Sequence, residues 1–355
     1  MYCQMNIPMG EGSRFMPEMT ITHLTRKMTA TDHLGALQVR LGFGRDRYQV
    51  VPGVYALGDP DRHSPVLVTA NYKLTIDVLR SSVGLLDAWV LVLDTRGINV
   101  WCAAGKGTFG TAELVKRVQL SSLMHLVDHR TLILPQLGAP GISAHQVKRE
   151  TGFSVVYGPV RANDIPAFLE NHCQATKDMR RVTFTLKERL MVVPVEIHYS
   201  VKLLPVLFIL FMVFHLSPPG DASLSSAVIL AGYNLAPHAG AFLLGTVGVA
   251  ALLPWLPGRS FAVKGLVMGL IWTVVIVRFH AFFQIPDSRL LLGAHGLLAT
   301  AITSFFALNF TGSTTYTSLS GVQKETVISL PIMAAALLAG LGMMAAYRIN
   351  LLLGS

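Results

Sequence analysis

The sequence is poor in cysteine. Three stand far apart, at positions 3, 102 and 173 of 355, too few and too scattered for a disulfide framework. The first 30 residues lack an apolar core, so no N-terminal signal peptide is expected. The thiols are then expected to be free in the reducing cytoplasm. A dense Lys/Arg stripe with interleaved aromatics is also missing, which argues against a nucleic-acid partner despite the net charge of +9. Charge itself becomes scarce after Tyr199. Residues 1–199 hold 22 of the 29 Lys and Arg and 17 of the 20 Asp and Glu, and the last 156 residues hold only seven and three. The first stretch therefore reads as a soluble domain and the second as a membrane domain. A basic cluster, Lys177, Arg180, Arg181, Lys187, Arg189 and Lys202, precedes the first apolar span. Positive charge beside a span stays on the cytoplasmic side, so the soluble part is expected there, with a lipid bilayer as neighbour.

Residues 1–50 carry weak signals and are read as a poorly defined segment packed on the main domain. From Pro65 a βα alternation begins. Val66–Ala70 reads as a buried strand, Lys73–Ser81 as a helix, and Ala88–Leu93 as the clearest buried strand. Thr111–Leu120 is helical and Thr131–Leu134 a strand. Ser143–Thr151 is helical, Phe153–Tyr157 a strand, and Ile165–Asn171 a short helix. Such alternation predicts an α/β fold with a mostly parallel sheet. Ligands then sit beyond the carboxyl ends of the strands, where Thr69 and Asn71, Asp94 and Thr95, Gln136 to Gly141, and Tyr157 to Arg161 gather. Residues 180–198 alternate partly and suggest a hairpin or a linker. Five apolar spans follow, near 201–216, 236–256, 261–279, 290–308 and 327–346, with 222–235 ambiguous. Within them ionisable groups are few. His295 is either a site or a hydrogen-bonded structural histidine.

Chemistry concentrates in Asn99-Val100-Trp101-Cys102-Ala103-Ala104-Gly105-Lys106, which follows the clearest strand. A helix starting near Asn99 would put Cys102 in its first turn, where the dipole favours negative charge, with Lys106 nearby. Small residues beside the cysteine let a large flat group approach the backbone, and a thiolate suits a soft metal. A buried structural cysteine and a nucleophile lacking an identified base fit these residues too. Gly105-x-Gly107-x-x-Gly110 has the form of a dinucleotide fingerprint but begins about ten residues too late after the strand. A Walker A loop fails, because Gly107 stands where Ser or Thr is required after Lys106.

The Asn99–Lys106 segment resembles the signature of the HgcA-type corrinoid proteins of mercury methylation. LVTANYKLT at 67–75, LILPQLGAPG at 132–141, VYGPVRANDIPAFL at 156–169 and LLPWLPGR at 252–259 resemble the same family. The resemblance covers roughly residues 50–355. It implies a Rossmann-like corrinoid-binding domain over 51–180, a linker over 181–200 and a five-helix transmembrane domain over 201–355. The fold is related to the large subunit of the corrinoid/iron-sulfur protein. That relative's cluster needs cysteines absent here, so an HgcB-type ferredoxin with iron–sulfur clusters is the implied electron donor. Cys102 is then the lower ligand to the cobalt of cobalamin or a related corrinoid. Asn99, Val100, Trp101, Ala103, Ala104, Gly105 and Lys106 complete the cap helix. Thr69, Asn71, Gln136, Gly138, Ala139, Pro140, Tyr157 and Gly158 would line the ring and its tail. The implied reaction passes a methyl group, taken from a donor protein or methylated folate, to Hg(II). The alternatives are another thiol or metalloid acceptor, or a non-catalytic membrane-tethered binding module.

Overall fold

The computed structural model describes residues 4–5, 21–216, 223–313 and 319–354. The chain divides into two compact units between Thr183 and Phe184, with Arg40–Gly42 grouped with the second.

The first unit is built on one mixed sheet with helices, as an α/β chain requires. Its strands are β1 (Gln4–Met5), β2 (Ile21–Leu24), β3 (Gly53–Leu57), β4 (Val66–Ala70), β5 (Ala88–Leu93), β6 (Thr131–Leu134) and β7 (Ser154–Tyr157). Their order across the sheet is β1-β2-β3-β5-β4-β6-β7. Every residue of β4 and β5 is buried, which explains their unbroken apolar runs: a central strand covered on both faces has no polar side. The helices are α1 (Ala30–Arg40), α2 (Lys73–Ser82), α3 (Val100–Lys106), α4 (Thr111–Leu120), α5 (Leu123–Leu126), α6 (Ala144–Thr151) and α7 (Ile165–Glu170).

Strands β5, β4, β6 and β7 run parallel, so Leu93, Ala70, Leu134 and Tyr157 end at one edge. The chain passes from β4 to β5 on one side and later to β6 on the other. That reversal between β4 and β6 is the topological switch point where open α/β sheets bind ligands.

The structure adds strands that periodicity did not reveal. β3 pairs antiparallel with β5, and β2 lies parallel to β3. A five-residue strand bounded by Pro52 and Gly58 carries little pattern of its own, and pairing with β5 holds it. Nor are residues 21–50 irregular, since they contain β2 and α1. Four charges tie them down. Lys73 Nζ lies 2.7 Å from Asp32 and 2.8 Å from Asp77, and Arg80 lies 2.7 Å and 2.8 Å from the same two carboxylates. Burial works to raise the Asp32 pKa, but hydrogen bonds from Lys73, the Thr29 amide and Arg80 outweigh it and hold the carboxyl well below the usual range.

The second unit is helical: α8 (Leu186–Ser200), α9 (Leu204–Leu216), α10 (Leu224–Leu243), α11 (Val249–Leu252), α12 (Phe261–Arg278), α13 (Arg289–Asn309) and α14 (Leu319–Leu352). A π-helical turn at Leu244–Gly248 joins α10 to α11. Residues 186–200 are thus a helix rather than a hairpin or linker. Thr185 and Glu188 close a capping box at its start, which overrides the partial alternation. It continues through α9 as a helical stretch of 31 residues. The ambiguous 222–235 segment extends the second apolar helix from Leu224. Among the described residues, five helical stretches are long and apolar enough to cross a membrane.

Helix α13 is the centre of this unit. Backbones approach closely around it: a Cβ on Gly265 would lie 2.6 Å from Ser304 Cα. His238 of α10 and His295 of α13 have no exposed surface, and His238 Nε2 lies 3.0 Å from His295 Nδ1. His295 is therefore hydrogen-bonded, in a link between two helices.

Candidate functional site

Helix α3 begins just past the end of β5. Asn99 caps it: the side-chain oxygen accepts from the Cys102 amide at 2.9 Å, fixing where the helix starts. Gly107 ends it in a left-handed conformation (φ 79°). Seven residues at helical spacing divide cleanly. Val100, Ala103 and Ala104 are buried in the core of the unit. Trp101 and Cys102 are half-buried, and Gly105 and Lys106 are exposed. Cys102 and Gly105, three apart, share a face. A Cβ built on Gly105 meets nothing within 4 Å, so the surface beside Cys102 is open. The Cys102 thiol is free.

Two stitched loops aim this helix. The first joins β5 to α3. Asn71, at the end of β4, is 2% exposed, and its side-chain oxygen accepts from the amides of Thr95 (3.1 Å) and Gly97 (3.0 Å). The Thr95 hydroxyl lies 2.9 Å from the same oxygen and 2.7 Å from the Ile98 carbonyl. Arg96 and Gly97 are both left-handed (φ 57° and 69°), which turns the chain toward Asn99. The second loop, Gln136–Gly141, follows β6 as a 3₁₀ turn, and α3 packs on it. Phe109, fully buried, is the wedge between them. A Cβ on Gly138 would lie 2.5 Å from its ring, and one on Gly141 would lie 2.1 Å from its carbonyl oxygen. Thr111 Oγ1 accepts from the Ser143 amide at 2.8 Å. The Tyr157 hydroxyl donates to the Ile142 carbonyl at 2.9 Å, and burial raises its pKa.

The fifteen neighbours that the sequence associates with Cys102 fall into groups. Asn99 caps the helix. Trp101, Gly105 and Lys106 share the open side with Cys102, and Val100, Ala103 and Ala104 anchor the helix from below. Asn71 spends its carboxamide oxygen on the β5–α3 loop, and Tyr157 spends its hydroxyl on the β6–α6 loop. Gly138 makes room for Phe109. Thr69 is 4% exposed within β4. Gly158 is buried, and its amide donates to the Leu134 carbonyl at 2.8 Å. Ala139 is half-buried and Pro140 exposed on the 3₁₀ turn. Gln136 stands out at the switch point, since its side-chain oxygen is buried without a hydrogen-bond partner. Such a group is rare in a native structure and calls for a partner. Phe109 and Thr111 were missed as site-building residues, while Thr95, expected among the groups at the strand ends, builds the loop ahead of Cys102. Phe109 and Thr111 flank Gly110, but the residues they serve, Gly138, Gly141 and Ser143, lie far along the chain and leave no local signal.

A family model described as CO dehydrogenase/acetyl-CoA synthase delta subunit (CdhD) matches residues 35–169, which lie in the first unit except for Arg40–Gly42. Among curated proteins, an acetyl-CoA decarbonylase/synthase complex subunit gamma from Methanopyrus kandleri is 37% identical over 129 residues, covering 36% of this chain and 27% of that protein. The corresponding subunit from Archaeoglobus fulgidus is 32% identical over 130 residues, again 36% and 27%. That from Methanothermobacter thermautotrophicus is 32% identical over 123 residues, 34% and 26%. The chain thus spans about a quarter of the length of these curated relatives. The stretch it shares with the CdhD model runs from α1 to α7 and includes the capped helix that carries Cys102.

Proposed function

We propose that the first unit binds a corrinoid such as cobalamin, with Cys102 as a ligand to its cobalt, and that the protein is a methyltransferase whose acceptor is Hg(II). The observation that carries this reading is the helix beyond β5. It offers a free thiol in its first turn, beside a glycine whose missing side chain leaves room for a flat group. The chemistry fits, because a soft sulfur donor suits cobalt. Gln136, with its unpartnered oxygen, is available to a polar amide on the periphery of the ring. The similarity to CdhD supports the corrinoid, and the Asn99–Lys106 signature supports the acceptor.

A bound corrinoid supplies the cobalt centre that accepts and gives up a methyl group. The protein's own residues hold and orient. Asn99 sets the height of Cys102, Asn71 fixes the loop before it, and Phe109 locks the helix to the 136–141 turn. Trp101 and Lys106 border the open face. An electron donor outside this chain, an HgcB-type ferredoxin with iron–sulfur clusters, would supply the electrons that a bound corrinoid needs and would bring Hg(II). A methylated folate or a methyl donor protein renews the methyl group.

The second unit is read as the membrane anchor. Its helices present apolar side chains outward, among them Val206 (62% exposed), Val274 (68%), Ile332 (65%) and Leu338 (70%), as lipid requires and water does not. The first unit lies in the cytoplasm, beside the basic segment at 177–202.

The test is the purified full chain loaded with cobalamin, combined with reduced ferredoxin, methyl donor and Hg(II), and assayed for methylmercury per bound cobalt. A protein that takes up no corrinoid defeats the whole reading. One that takes up corrinoid but makes no methylmercury defeats the acceptor. The relatives' names favour one second reading, methyl transfer within an acetyl-CoA-forming complex, which the same holoprotein tests with such a complex replacing Hg(II).

A further inference from the structure

Two buried cations meet at one end of the second unit. Arg189 of α8 is 4% exposed and donates to the carbonyls of Ala250 (2.9 Å) and Ala251 (2.7 Å). Lys264 of α12 is 7% exposed and donates to the carbonyls of Leu253 (3.2 Å) and Leu256. These carbonyls form the end of α11 and the turn after it. A helix C-terminus carries only about half a negative charge, so two full positive charges on it leave an excess of more than one. Among the described residues neither cation has a carboxylate partner, and Arg189 Nε is buried with no partner at all. Unpaired buried charge is costly, and an anion relieves it.

The acids at this end are already engaged. Glu188 closes the capping box of α8 with Thr185. Glu325 of α14 accepts from Ser260 Oγ (2.8 Å) and the Ala262 amide (2.7 Å) at the start of α12. Lys187, Arg259 and Lys324 are exposed around the same end and add positive charge. Trp255, in the turn after α11, is 72% exposed, and Leu252 is 41% exposed. An outward indole at the end of apolar helices is the residue that settles at headgroup depth.

We propose that Arg189 and Lys264 form a binding site for the phosphate of an anionic phospholipid, with Trp255 beside its headgroup. The guanidinium supplies a forked donor and the ammonium a point charge, the usual pair for a phosphate. The site rests on the reading of the second unit as membrane-embedded.

The experiment uses the full chain in phosphatidylcholine nanodiscs doped with either brominated phosphatidylglycerol or brominated phosphatidylcholine. Quenching of Trp255 fluorescence is read against a Trp255→Phe control. The expected result is stronger quenching by the anionic lipid at equal doping, undiminished by excess inorganic phosphate. Arg189→Gln and Lys264→Met should each cut that preference about fivefold, the worth of one cation at a charged surface, while Lys264→Arg keeps it. Equal quenching by the two lipids in the unaltered protein overturns the site, and this arm needs no variant to fold. Loss of quenching on adding phosphate overturns the lipid as occupant. No quenching by either lipid overturns the membrane placement beneath the proposal.

Discussion

Asn71→Ala tests whether the loop ahead of Cys102 is held from the end of β4. The Asn71 side-chain oxygen accepts from the Thr95 amide at 3.1 Å and the Gly97 amide at 3.0 Å, and both donor residues are buried. Truncation removes the acceptor and leaves two buried N–H groups unpaired, at about 1–3 kcal/mol each. The vacated space admits water, which places the sum at the low end, about 2–3 kcal/mol. The weak contacts of Nδ2 with Gln49 (3.4 Å) and Asp94 (3.5 Å) add little. Since about 1.4 kcal/mol is a factor of ten, amide exchange at Thr95 and Gly97 should accelerate roughly 30- to 150-fold. Hydrogen-exchange mass spectrometry on the full chain measures it, with the β4 and β5 amides as internal reference. The loosened loop should also lower the fraction of bound corrinoid showing thiolate ligation more than it lowers total uptake. Parent exchange rates at Thr95 and Gly97 would refute the reasoning, because the loop would then be held by something other than this oxygen.

Four further outcomes are expected. Cys102→Ala should abolish methyl transfer per bound cobalt while keeping most corrinoid uptake, and Cys102→His should bind with an altered visible spectrum and little transfer. Parent activity per cobalt in the Ala variant would leave Cys102 a packing residue. Gly105→Leu should leave the fold intact or slightly firmer, by about 0.5–1 kcal/mol of helix propensity, yet block corrinoid uptake, as titration against a thermal melt would show. Because the folded Asp32 carboxyl lies below its unfolded value near 3.9, its stabilising contribution is present above that pH and is lost as pH falls below it. Asp32→Asn should therefore flatten the decline in first-unit stability between about pH 4 and lower values, followed by circular dichroism. A tag near Asn350 should be reached by impermeant label from outside intact cells, and labelling only after lysis would contradict either five crossings or the cytoplasmic first unit.

Much of the fold was legible because the central strands carry their burial in their composition. Val66–Ala70 and Ala88–Leu93 read as buried strands and are buried at every residue. The apolar helices were equally plain, since length and hydropathy suffice for them. Residues 186–200 were not, because a capping box of two polar residues outweighed a period that pointed elsewhere. Strand β3 was silent because its stability comes from pairing with β5.

For the site, the sequence by itself located the candidate thiol and its helix: one cysteine among small residues, after the strongest strand, with an asparagine three residues before it to cap a helix. Side-chain type and local spacing carry that information, because a helix turn is set within four residues. Tertiary structure decided which residues face the site and which build it. Asn71 and Tyr157, read as lining residues, turn their polar groups to loops 24 and 15 residues away in sequence. Gly138 and Gly141 exist for the ring and carbonyl of Phe109. Such contacts join segments brought together only when parallel strands align their ends, and no local pattern encodes that alignment.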